Sequence, residues 1–75
     1  MALKDISDRE KEVLCLVARG YTHKEIAENL SITNRTVEKH VSSAIGKIEA
    51  KNTIHAIAIL ITEGTINIKD GLGGL

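Results

Sequence analysis

The sequence of 75 residues has no proline, no tryptophan and no phenylalanine, and Tyr21 is its one aromatic residue. Ring packing therefore contributes almost nothing, and stability falls to aliphatic side chains, with isoleucine at eleven positions. A single cysteine, Cys15, excludes an intrachain disulfide and makes a reducing, intracellular setting the default. No apolar run approaches the roughly 20 residues of a membrane span, and Met1-Ala2-Leu3-Lys4-Asp5 lacks the apolar stretch of a secretion signal. A soluble, cytoplasmic protein with no membrane partner is expected. Net charge is missing too: ten Lys/Arg balance ten Asp/Glu, which speaks against indiscriminate nucleic-acid binding. A chain this short buries only about 60% of its unfolded surface on folding, which leaves no room for a large catalytic cleft.

Catalytic and metal-binding constellations are equally scarce. His23, His40 and His55 are scattered without ligand spacing, and no glycine-rich phosphate loop occurs. We expect no enzyme activity, no cofactor and no metal site.

What the sequence does carry is a series of helix signals. Ser7-Asp8-Arg9-Glu10 has the form of a capping box, an apolar stripe of Val13, Leu14, Leu16 and Val17 follows, and Gly20 stands where a helix C-terminal glycine belongs. A first helix over about Asp8 to Arg19 is predicted, with Cys15 as a partly exposed thiol and Tyr21 as a cover for the small core. Thr22-His23-Lys24-Glu25 is a second capping box, followed by Ile26, Ala27 and Leu30 at helical spacing. The link Ser31-Ile32-Thr33 is too short for a smooth reversal, and Thr33 is the expected N-cap of a third helix over about residues 34–48. Two helices joined so tightly cross steeply, as in a helix-turn-helix, whose second helix enters the DNA major groove while the first crosses the phosphate backbone.

The third helix divides cleanly at about 100° per residue. Val37, Val41, Ala44, Ile45 and Ile48 share one side; Arg35, Glu38, Lys39, Ser42, Ser43 and Gly46 share the other. Between Ser31 and Ile48 the cations Arg35, Lys39 and Lys47 face one acid, Glu38, with His40 in addition. From this placement Arg35, Glu38, Lys39 and Ser42 are expected at base edges. Thr22, His23, Lys24, Thr33, Thr36, His40 and Lys47 are expected at phosphates, because helix starts offer free N–H groups and a positive dipole end. For His40 a half-buried structural role stands beside the phosphate contact. The acids Glu10, Glu12, Glu25 and Glu28 read as ordinary first-turn or surface carboxylates.

A polar break, Glu49 to Thr53, precedes a fourth helix over Ile54 to Glu63, closed by Gly64. Ala56, Ile57 and Leu60 suit the core, but Ile54, Ala58, Ile59 and Ile61 cover most of the remaining circumference, which calls for a second partner. Ile54, Ala58 and Ile61 cluster within about 60° on the wheel and are the expected seam of a homodimer. In the tail, Ile66 and Ile68 are placed against the domain, and residues 69–75, rich in glycine, are expected to be flexible. The whole, residues 1–75, reads as one all-α domain with its core at about 6–68.

The residues Ile6-Ser7-x-Arg9-Glu10-x-Glu12-Val13-Leu14, Gly20-x-Thr22-x-Lys24-Glu25-Ile26-Ala27, Leu30-x-Ile32-x-x-x-Thr36-Val37-x-x-His40-Val41 and Lys47-Ile48 resemble the LuxR-type (FixJ/GerE) helix-turn-helix family over Ile6 to about Ile66. The resemblance implies a four-helix DNA-binding domain whose third helix reads the major groove and whose fourth mediates dimerisation. It also implies the output domain of a response regulator or related transcription regulator, with double-stranded DNA as partner and RNA polymerase as a further candidate. Four positions depart from the family pattern: Glu38 where Lys or Arg is usual, Glu49 for a frequent Gly, Thr53 for a frequent Arg that pairs with an acid of helix one, and Asp8 for a common Pro. The acid at Glu38 repels phosphate but is able to accept a hydrogen bond from cytosine N4. Two alternatives remain: a protein-interaction module with the same fold that does not read DNA, and a sigma-factor-type promoter-recognition domain, whose helix-turn-helix shares the Lys-Glu-Ile-Ala form.

Overall fold

A computed structural model describes residues 5–66. Among them lie four helices and no strand: α1 (Asp8–Ala18), α2 (His23–Leu30), α3 (Asn34–Lys47) and α4 (Thr53–Thr62). The predicted helices are all present, with ends shifted by a residue or so. The fold class is therefore all-α, as expected. No helix among the described residues is long and apolar enough to cross a membrane. The expected flexible tail, 69–75, and Ile68 lie outside the described residues, whereas Ile66 is buried.

Each helix starts on a side chain that accepts from the backbone N–H three residues on: Ser7 from Glu10, Thr22 from Glu25, Thr33 from Thr36, and Asn52 from His55. The Ser7 and Thr22 caps are reciprocal boxes, in which Glu10 and Glu25 accept from the cap N–H at 2.9 and 2.8 Å. At α4 a histidine supplies the return bond: His55 Nδ1 accepts from the Lys51 N–H at 2.9 Å.

The four C-terminal ends also share one device. A residue with positive φ follows each helix: Gly20 (96°), Ser31 (58°), Glu49 (56°) and Gly64 (76°). The next N–H then reaches back five residues, as Tyr21 to Leu16 O, Ile32 to Ala27 O, Ala50 to Ile45 O and Thr65 to Leu60 O, which is the Schellman motif. Two of these left-handed residues carry a side chain, and there the backbone is strained. At Ser31 the same device turns the chain abruptly from α2 into α3.

The core is aliphatic and centred on α3, which packs against each of the other helices. Val13, Leu14, Ile26, Val37, Ala44, Ala56 and Leu60 are fully buried, with Ile6, Ala27, Val41, Ile48 and Ile66 around them. Tyr21 departs from expectation: it is 40% exposed. Leu30 and Ile32, by contrast, pack against the core.

Glu10 is the second departure, since it is buried rather than a surface acid. It sits three and four residues before Val13 and Leu14, on the stripe that faces α3. Its carboxylate accepts from the Ser7 N–H, from the Ser43 hydroxyl and, at 3.0 and 3.2 Å, from the Lys47 ammonium. Burial pushes the carboxyl up, but the Ser7 N–H, Ser43 and Lys47 outweigh it and hold the group at about 2, below its ordinary 4.5. Lys47 also donates to the Asp5 carbonyl at 3.0 Å, which ties the chain entering α1 to the last turn of α3.

Candidate nucleic-acid interface

Packing on three sides leaves α3 one free face. Its 14 residues span roughly 21 Å, enough to lie along a stretch of major groove. Arg35, Glu38, Lys39 and Ser42, the four residues expected at base edges, line one shallow hollow of about 410 Å³ on that face. All four are exposed. The register follows from the buried set: because Val37, Val41 and Ala44 must face inward, positions 35, 38, 39 and 42 have to face outward.

None of Arg35, Glu38 and Lys39 takes part in an ion pair among the described residues; the pairs there are Arg9–Glu12, Lys11–Asp8 and Lys47–Glu10. The face therefore presents two uncommitted cations, one uncommitted carboxylate and a hydroxyl, a set able to donate to guanine O6 and N7 and to accept from an exocyclic amine.

The expected phosphate-binding residues gather at two helix starts beside this face. At α3 the first turn holds no acid, and the Thr33 and Thr36 hydroxyls lie 2.9 Å apart, so dipole and donors together suit an anion. At α2 the arrangement is less open, because Glu25 already occupies the Thr22 N–H. Lys24 is exposed there and His23 is half-buried. His40 is half-buried at the edge of the α3 face.

Lys47 is a correction to the expected set, since its ammonium is committed to Glu10 and the Asp5 carbonyl rather than left open to phosphate. Ser43 likewise turns from the outer face toward Glu10. Amphipathic reading missed this pair because a charged partner on another helix leaves no trace in the pattern of a single helix. A usable signal was the placement of Glu10 on the Val13–Leu14–Val17 stripe.

Elsewhere on the surface α4 exposes Ile54 (80%) and Ile61 (38%). Ala58, also exposed, borders a hollow of about 280 Å³ shared with His55, Ile59, Thr62 and Glu63. The three residues expected at a dimer seam thus lie together on the outer side, while Ala56 and Leu60 hold α4 to the core.

A capped three-residue turn between two short helices, the second presenting a polar, cation-bearing face, defines a helix-turn-helix domain of the DNA-binding kind. Residues 4–60 match the luxR family of bacterial regulatory proteins (GerE), and the chain belongs to that family. The chain is similar to the transcriptional regulatory protein DesR of Bacillus subtilis (strain 168), with 54% identity over 52 residues, 69% of this chain and 26% of that protein. It is also similar to the transcriptional regulatory protein LiaR of the same organism, at 40% over 53 residues, 71% of this chain and 25% of LiaR. The response regulator protein VraR of Staphylococcus aureus (strain NCTC 8325 / PS 47) is 40% identical over 52 residues, 69% of this chain and 25% of VraR. The chain thus spans about a quarter of the length covered by these curated relatives.

Proposed function

We propose that this domain recognises a specific double-stranded DNA sequence as the output domain of a transcription regulator of response-regulator type. In this reading α3 lies in the major groove with Arg35, Glu38, Lys39 and Ser42 at base edges. Thr22, His23, Lys24, Thr33, Thr36 and His40 hold phosphates from the starts of α2 and α3 and from the edge of the α3 face. The observation that carries the reading is the convergence of those four base-edge residues on one exposed hollow of a helix whose other sides are packed.

Two such domains meet through α4, with Ile54, Ala58 and Ile61 at the seam, and read half-sites about 10 bp apart centre to centre. A seam on one helix of 10 residues buries little area, so the pair forms mainly on DNA or when a fused domain raises local concentration. The protein acts in the cytoplasm without catalysing a reaction, and RNA polymerase is the further partner that it meets at a promoter.

Selection of bound sequences from random duplex DNA, followed by binding across a salt series, tests the reading. The expected result is a near-palindromic consensus with a steep salt dependence. Binding of all duplexes alike, or enrichment of none by a folded chain, would refute it.

A further inference from the structure

The acid in the middle of the reading face is the least expected group there. Glu38 is exposed, shares the hollow with Arg35 and Lys39, and yet pairs with neither. Arg35 stands three residues before it, at a spacing where helix ion pairs form readily; Arg9–Glu12 and Lys11–Asp8 show that spacing in use within α1. A solvated surface acid is the plain alternative, and away from DNA that describes Glu38 well. Against DNA the situation changes, because a groove-bound α3 brings the carboxylate up to the base edges and strips it of water. A carboxylate only accepts hydrogen bonds. If the base beneath it offers no donor, the complex carries a desolvated, unpaired charge, which is costly.

The four base edges answer this demand unequally. Thymine presents an acceptor and a methyl group, and guanine two acceptors, so both oppose the carboxylate. Adenine presents a donor beside the N7 acceptor, a mixed edge. Cytosine presents the N4 amine alone, and its guanine partner offers O6 and N7 to a cation. Arg35 or Lys39, lining the same hollow, supplies that cation.

Resting on the DNA-reading proposal above, we propose that Glu38 makes this domain selective for a cytosine in each half-site, acting more by rejecting thymine and guanine than by adding affinity. One regulatory consequence is specific. The exposed hydrogen of cytosine N4 is the one that methylation at N4 replaces, so an operator carrying N4-methylcytosine at that position loses the donor and is released. Methylation at C5 leaves the donor in place.

The test uses the full 75-residue chain and its Glu38→Gln variant, each taken through selection from random duplexes and then titrated on the selected site with cytosine or N4-methylcytosine at the assigned position. Glutamine keeps the size of the side chain and adds a donor, so Glu38→Gln is expected to move the preference at one position per half-site from cytosine to adenine, whose N6 and N7 suit an amide. N4-methylation should weaken parental binding roughly tenfold or more and leave Glu38→Gln nearly unaffected. An identical consensus for both proteins overturns the role of Glu38 while leaving the DNA-reading proposal intact, as does a parental affinity indifferent to N4-methylation. If the folded parent enriches no sequence, the DNA-reading proposal falls and this one falls with it.

Discussion

The Glu10–Lys47 pair makes the stability of the domain depend on acid in a predictable way. In the folded chain the Glu10 carboxyl sits at about 2, against 4.5 ordinarily. A depressed carboxylate contributes stability that is complete above the unfolded value and is lost as pH falls toward the folded one. The window is therefore about pH 5 down to about pH 2. Each unit of difference is worth about 1.4 kcal/mol, so the full contribution is on the order of 3 kcal/mol. Because the Lys47 side chain is 36% exposed, screening trims this toward about 2 kcal/mol. A domain of this length has roughly 4–11 kcal/mol in total, so the loss is a large share. Urea unfolding followed by circular dichroism at a series of pH values is the assay. Glu10→Gln should flatten the stability curve between pH 5 and pH 2, because the titrating group is gone while an oxygen remains for the Ser7 N–H. Lys47→Met should cost about 2–4 kcal/mol at pH 7, since it strands a buried carboxylate with Ser7 and Ser43 alone. If Glu10→Gln keeps the parental acid dependence, some other carboxylate carries it and the reasoning fails.

Three further outcomes follow from positions described above. Lys24→Ala should lower affinity for all duplexes similarly and reduce the slope of log affinity against log salt by roughly one; a loss confined to one sequence would place Lys24 at a base instead. Ile61→Glu should abolish cooperative occupancy of paired half-sites while circular dichroism and single-half-site affinity stay at parental values, and undiminished cooperativity would remove α4 from the seam. Glu49→Gly should stabilise the domain by about 0.5–1 kcal/mol, because glycine adopts the positive φ there without strain, and a fall in the urea midpoint would show that the Glu49 side chain does something the strain conceals.

The helix starts were legible because capping is written in adjacent residues: Ser7-x-x-Glu10 and Thr22-x-x-Glu25 name both halves of a reciprocal bond. The outward face of α3 was legible for a similar reason, as burying Val37, Val41 and Ala44 leaves positions 35, 38, 39 and 42 no other direction. Helix ends were legible where glycine marked them. At Ser31 and Glu49 the left-handed turn is imposed by packing on either side, and neither residue type announces it. The Glu10–Ser43–Lys47 cluster was hidden because it joins residues 33 and 37 positions apart, and periodicity within one helix is blind to such distances. Tyr21, expected as a cover for the small core, is 40% exposed.

Every helix here is closed at both ends by bonds that span no more than six residues. Such bonds need no loop closure, so they form on the time scale of a single helix turn, well before α1 finds α3. The slow event in folding is then the docking of pre-bounded rods, which places the barrier at the aliphatic α1–α3 contact. In rate terms, cap substitutions such as Thr33→Ala should slow refolding about as much as they destabilise.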